Sequence, residues 1–381
     1  MIFVRNSDMD MKTLFIAVHA GAGTHAKENE PTYKAVCKAA CLQAMALLKE
    51  RRSALECVTA AVSALEDAEC TNAGLGSNLT MEGNVECDSS VMDGKTLFFG
   101  AVGALSGVKN PIKVAHRLAE EQKLGPLPLG RVRPSILVGT GAQDYCKTCS
   151  IDVRSNILSK TAFKTYNRYK RKYQLAELSL AHPSKKMRPN SNNKALDDRP
   201  KDEGGVQDTV GAVCVDYEGN VAAASSSGGI WLKHSGRLGP AAIYGAGCWA
   251  QNQVSASKAG VAAVTSGCGE HLIQTLLAKT CSDAIRSSTD LSGSLATVFQ
   301  DDFLGSEFLR NTEKKFGGVL ALKTHSDGSD RDVELSWMHS TASMSIGYMN
   351  GSKNSPTVLM SRLDDSASPG RSYTLGGHML F

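Results

Sequence analysis

The stretch Gly204-Gly205-Val206-Gln207-Asp208-Thr209-Val210-Gly211-Ala212-Val213 decides how this chain is read. A long polar, basic segment containing proline and asparagine precedes it, and the residues after it turn abruptly small and apolar. The join, Asp208-Thr209, has the chemistry of a self-cleavage site. The threonine hydroxyl sits on Cβ and can attack the preceding carbonyl through a five-membered ring, which converts the amide into an ester that water hydrolyses. Cleavage would leave Thr209 with a free α-amine. With a pKa of about 8, that amine keeps a neutral fraction able to take the hydroxyl proton. The β-methyl restricts χ1 and holds the hydroxyl in few rotamers. The same dipeptide would also suit a chain that merely enters a β-strand after a linker.

A chain of 381 residues can bury a large core, as one α/β domain or as two smaller ones. Its 42% hydrophobic content and 36 glycines suit a compact enzyme with many tight turns. The start, Met1-Ile2-Phe3-Val4-Arg5-Asn6-Ser7-Asp8, carries no apolar run of signal-peptide length, and no stretch approaches membrane-spanning length. A soluble intracellular protein is expected, with its eleven cysteines as reduced thiols rather than a disulfide frame. Cys146 and Cys149 form the only C-x-x-C and have no second pair, so no metal site is expected.

The net charge of +4 conceals an asymmetry. Between Lys160 and Lys194 ten Lys/Arg face one acid, Glu177, so that segment carries +9 and the rest −5. Residues 161–181 have a helix-compatible pattern that is polar nearly all round, which predicts a helix projecting from the body or ordering only with a partner. Residues 182–207 lack apolar periodicity and read as a flexible linker.

Elsewhere, the apolar run 12–19 reads as a buried strand ending at Gly21-Ala22-Gly23. Helical spacing follows over 31–51, and Ser53-Ala54-Leu55-Glu56 matches a capping box that opens a helix to about Asp67. The glycine-rich loop Thr71–Asn78 lacks a lysine at phosphate-loop spacing. Strands are expected over 85–92, 97–105 and 134–139, with helices from Asn110-Pro111 to about Gln122 and over 142–149. A hairpin over 210–217 and 221–225 follows the Asp208-Thr209 join, then a strand at 260–266 and a helix over 270–282. Another helix falls within 294–308, and strands close the pattern at 317–322, 333–339 and 342–349, with an irregular tail beyond Asn350. Helices in runs rather than strict alternation favour a layered α+β sandwich.

Six motifs occur in order: His19-Ala20-Gly21-Ala22-Gly23, Thr71-Asn72-Ala73-Gly74, Asp208-Thr209-Val210-Gly211-Ala212-Val213, Ser227-Gly228-Gly229, Gly236-Arg237-Leu238-Gly239 and Thr265-Ser266-Gly267-Cys268-Gly269-Glu270. Together they resemble the threonine-type asparaginases, which are N-terminal-nucleophile hydrolases. The resemblance implies a four-layer αββα sandwich without a cofactor. It also implies self-cleavage into an α subunit, 1–208 (with the basic helix and linker at about 160–208), and a β subunit, 209–381, within one folded domain. The subunits would stay together as an αβ heterodimer, which can pair into a heterotetramer.

Within the family the likeness is greatest to the threonine aspartase (taspase) branch, endopeptidases that cut after aspartate. Pro240 stands where the asparaginase pattern has an aspartate that holds a substrate α-amine, and the basic segment and the Trp231-Leu232-Lys233-His234 and Cys268-Gly269-Glu270-His271 stretches are similar to that branch. The resemblance makes Thr209 the nucleophile and base and sets Ser227 on its hydroxyl or amine. It makes Ser266 and Gly267 the oxyanion donors, and Gly21 and Asn72 loop residues that orient the threonine. Arg237 would grip the carboxylate of a P1 aspartate in a bidentate pair. The implied partners are trithorax-type histone methyltransferases, general transcription factors and a nuclear import receptor. The receptor would read Lys170-Arg171-Lys172 with Lys185, Lys186 and Arg188, giving a protein of nucleus and cytoplasm. Two alternatives stand beside this reading. One is a hydrolase of asparagine, isoaspartyl peptides or glycosylasparagine; the other is a silent protein that binds nucleic acid or an importer.

Overall fold

A computed structural model describes residues 11–154, 157–181, 208–327 and 330–380. Among these, thirteen strands run in chain order: β1 Phe15–Gly23, β2 Cys87–Asp93, β3 Phe99–Leu105, β4 Ile136–Val138, β5 Val210–Val215, β6 Val221–Ser227 and β7 Cys248–Gln251, then β8 Gly260–Gly267, β9 Gly317–Asp327, β10 Asp330–His339, β11 Ser343–Asn350, β12 Thr357–Arg362 and β13 Thr374–Leu380. They form an eight-stranded sheet in the order β12-β11-β1-β5-β6-β2-β3-β4 and a five-stranded sheet in the order β13-β10-β9-β8-β7. Strands from both sides of Thr209 interleave in the first sheet. The helices are α1 Glu30–Lys49, α2 Ala54–Glu66, α3 Pro111–Glu121, α4 Gly139–Thr148, α5 Lys160–Ala181, α6 Gly269–Gln274, α7 Leu277–Arg286 and α8 Leu291–Val298.

Three apolar cores separate four layers. Ile16, Val18 and Ala20 on one face of β1, with Leu14 just before the strand, pack with α1 and α2. Phe15 and Ala17, on the opposite face, meet Leu320, Leu322 and Trp337 of the second sheet. Val261, Val319 and Met338 on the far side of that sheet carry α7 and α8. Both faces of β1 are therefore dry, which explains why its sequence is a continuous apolar run rather than an alternation. This is the four-layer αββα sandwich that the resemblance implies.

Local signals located most elements. The Ser53 hydroxyl accepts from Glu56 N while Ser53 N donates to the Glu56 carboxylate, so the capping box is formed. Three expectations are corrected. The segment over 270–282 is two helices broken at Thr275–Leu276, where Leu276 takes φ 44°. The tail adds β12 to β11 and β13 to β10, pairings made by distant partners that local pattern does not reveal. Helix α5 packs on the body through its first half. Ala162 and Tyr169 are buried, Tyr169 stacks on Trp231 at 4.3 Å between ring centroids, and the Tyr166 hydroxyl and Lys170 ammonium both donate to Met81 O. Aromatic residues on a basic helix thus acted as anchors, which the count of charges hid. No helix among the described residues is long and apolar enough to cross a membrane.

Glu66 ties α2 to the floor of the site. One carboxylate oxygen accepts from the Ser226 hydroxyl at 2.6 Å and from Ile112 N at 3.1 Å, and full burial pushes its pKa up to about 8. A carboxyl whose folded pKa is raised contributes stability that is complete below its ordinary range and is lost as pH rises through the folded value. Glu66→Gln keeps the accepting oxygen, so the variant should lose less stability than the wild type between pH 5 and about pH 9. Urea midpoints at the two pH values check this, and parallel losses would contradict it.

Candidate active site

Thr209 precedes the first paired residue of β5, Val210, which lies between Ala20 of β1 and Ser226 of β6. In the continuous chain both Asp208 and Thr209 are buried. The Thr209 hydroxyl donates to the Ser227 hydroxyl at 3.1 Å, and Ser227 Oγ accepts from Gly229 N at 3.0 Å. Ser227 and Thr209 are both buried, so this bond lies away from the protein surface.

Gly21 adopts φ 107°, and a Cβ there would lie 2.5 Å from the Asp208 side chain. Only glycine allows β1 to pass this close to the residue before Thr209. The Asp208 carboxylate lies 3.4 Å from His25 Nε2, and the Tyr33 hydroxyl donates to it at 3.5 Å. His25 is oriented in turn by Ser343, whose hydroxyl lies 2.9 Å from Nδ1. His19 faces the inter-sheet core behind Gly211, and burial pushes its pKa down to about 3. An interaction with the Thr209 backbone only partly offsets that burial, which fits a neutral imidazole.

Asn72 acts one step removed from the threonine. Its amide donates to Gly229 O at 2.7 Å, its side-chain oxygen accepts from Asn78 N, and its own carbonyl accepts from Gly228 N. It fixes the Ser227-Gly228-Gly229 loop rather than bonding Thr209 itself. Ser266 enters from the second sheet, where its hydroxyl accepts from Ala22 N at 2.9 Å, next to Gly21. Gly267 takes φ 136° at the end of β8.

Arg237 joins the group through glycines. A Cβ on Gly229 or Gly239 would lie 2.9 Å from Nη1, and one on Gly269 2.5 Å from Nη2. Its fork is held by Glu270, with Nε and Nη2 donating at 2.8–3.0 Å. Pro240 is buried and opens a short 3-10 turn, and the acid on the Arg237 fork is Glu270. Thr209 bonds Ser227, Ser227 bonds Gly229 beside Arg237, and Ser266 bonds β1 at Ala22, next to the glycine that passes Asp208. A cavity of about 340 Å³ opens on the Asp208 side of Thr209, lined by Tyr33, Asn72, Arg168, Tyr169, Asp208 and Trp231 among others; Thr209, Ser227, Ser266 and Arg237 do not line it. Helix α5 supplies one wall. Of the basic cluster, Lys170 is engaged with Met81 and Arg171 and Lys172 are exposed, while Lys185, Lys186 and Arg188 lie outside the described residues.

Sequence reasoning missed a buried charge pair beneath the arginine loop. The Lys233 ammonium donates to Gly228 O at 2.5 Å and to Glu86 O, and the Asp88 carboxylate accepts from Ala104 N and Gly239 N. Burial lowers the Lys233 pKa and raises that of Asp88, and each charge partly offsets the other's shift. No local pattern marks these residues, since the strand and loop that carry them meet only in three dimensions.

The sequence profile of the asparaginase family, described as "Asparaginase", matches residues 12–359. The chain belongs to that family. Similar proteins include an "Isoaspartyl peptidase/L-asparaginase" from Xenopus laevis, 36% identical over 69% of this chain and 73% of the relative. A "Plant-type L-asparaginase" from Thermococcus kodakarensis is 36% identical over 72% of this chain and 80% of its own. An "Isoaspartyl peptidase" from Salmonella typhimurium is 34% identical over 70% and 77%. These relatives overturn the expectation of an endopeptidase that cuts nuclear regulatory proteins after aspartate, and favour the small-substrate alternative. Pro240 carried too much weight in that expectation, being one position set against a likeness that runs over most of the chain.

Removing the Lys233 ammonium would leave two carbonyls without their donor and Asp88 without its neighbouring cation. Lys233→Met should therefore destabilise the protein by about 3 kcal/mol. Chemical denaturation measures this, and a loss below about 1 kcal/mol would contradict the assignment.

Proposed function

We propose that the protein is an amidohydrolase of the asparaginase family acting on the side-chain amide of L-asparagine and on isoaspartyl peptide bonds, with Thr209 as its nucleophile. The observation that carries this reading is the buried hydroxyl bond from Thr209 to Ser227 at the start of β5. The names of the relatives supply the substrate class.

In the maturation step Thr209 Oγ attacks the Asp208 carbonyl carbon, the C–N bond breaks, and the nitrogen leaves as the α-amine of Thr209. Water then hydrolyses the resulting ester, giving the Asp208 carboxylate and restoring the threonine hydroxyl. Gly21, His25 and Tyr33 support this step by fixing the acidic side chain beside the scissile bond. The products remain together because strands from both halves share one sheet, and the α and β subunits would form the heterodimer.

In turnover the neutral α-amine takes the hydroxyl proton while Oγ attacks the substrate's β-carbonyl carbon. The amide nitrogen leaves with a proton as ammonia, or as the amine of a peptide. Water hydrolyses the β-aspartyl ester to release L-aspartate. Ser266 and Gly267 are assigned to the oxyanion, where one donor is worth about a hundredfold or more in rate. Arg237 is assigned to the α-carboxylate, for which a guanidinium fork is better shaped than an ammonium.

Purified protein should release ammonia from L-asparagine and amino acid from a β-aspartyl dipeptide. Its rate should rise with pH and level off above about 8, as the amine loses its proton. Arg237→Lys should raise KM by about tenfold or more while changing kcat less. Cleaved wild-type protein that releases nothing from either substrate would overturn the proposal.

A further inference from the structure

We infer that Glu270 is an intramolecular placeholder for the substrate's carboxylate: it occupies the fork of Arg237 in the free protein and yields it when a ligand carboxylate arrives. The inference rests on the assignment of Arg237 as the carboxylate-binding group. Arg237 Nε donates to Glu270 Oε1 at 3.0 Å, and Nη2 donates to Oε1 and Oε2, both at 2.8 Å. This is the guanidinium's side-on edge. The opposite nitrogen, Nη1, lies against Gly229 and Gly239, where a Cβ on either would come within 2.9 Å. Backbone therefore closes that side, and the edge held by Glu270 is the one through which a carboxylate can approach.

The two partners differ in freedom. The Arg237 side chain is 14% exposed and boxed by three glycine positions, whereas that of Glu270 is 53% exposed. The glutamate's further contact, with the Cys268 thiol, is long at 3.9 Å. Asp88, the other acid beside this loop, is buried with its oxygens engaged by Ala104 N and Gly239 N, so it cannot exchange places. Glu270 is the part that moves, and the arginine stays.

A half-exposed ion pair holds its place by no more than about a fivefold preference, so a ligand carboxylate of equal charge and shape can displace it. A carboxamide in the same position cannot, because it would exchange an ionic pair for a neutral one. The placeholder keeps the guanidinium paired between turnovers and filters ligands for a free carboxylate.

The test is calorimetric titration of the purified protein with succinate and with L-aspartate. Both ligands should bind about two- to fivefold more tightly to Glu270→Gln than to the wild type, and Glu270→Ala should behave alike. Arg237→Ala should lose succinate binding. Unchanged or weaker succinate binding in both glutamate variants would overturn the inference. So would weakening of L-aspartate alone, which would put Glu270 on the ligand's ammonium. Equal succinate binding by wild type and Arg237→Ala would remove the premise itself, a failure distinct from the other two.

Discussion

One hydroxyl donating to another at the dry end of a strand sets the terms for the rest of this structure. Thr209 can face Ser227 only if β5 is clamped on both sides, by β1 through Ala20 and Val210 and by β6 through Val210 and Ser226. β6 is buried throughout and β1 as far as Ala22, so the threonine's position is fixed by the packing of two sheets rather than by a loop. The same arrangement requires that chain before and after Thr209 interleave. A break at that residue would thus leave the sheet's hydrogen bonds in place.

Glycine and buried charge supply what packing alone does not. Gly21 lets β1 pass Asp208 at a distance no side chain would tolerate, and Gly229, Gly239 and Gly269 open the space that the Arg237 guanidinium fills. Beneath them Lys233 and Asp88 bind the carbonyls and amides of the same loop. Both charges are buried, so neither would persist without the other and without those backbone partners. The result is a rigid cationic group facing an exposed, exchangeable anion.

Much of this was legible in the residues. The abrupt change of composition at Asp208-Thr209 marked the residue proposed as nucleophile, and the Ser53–Glu56 box, the Asn110-Pro111 start and the hairpin around Gly219 are local codes that the structure repeats. The layers followed from runs of strands and helices. What stayed hidden depended on distant partners: β13 against β10, Tyr169 on Trp231, Lys233 near Asp88 and Glu270 on Arg237. The substrate reading failed for a related reason. It judged the site by one residue in sequence, Pro240, against a likeness spread over most of the chain.

Intact-mass spectrometry of the freshly purified protein, beside its Thr209→Ala variant, tests the central claim most directly. The account predicts two wild-type masses, matching residues 1–208 and 209–381, and a single full-length mass for the variant. A wild-type chain that stays whole through prolonged incubation would contradict it.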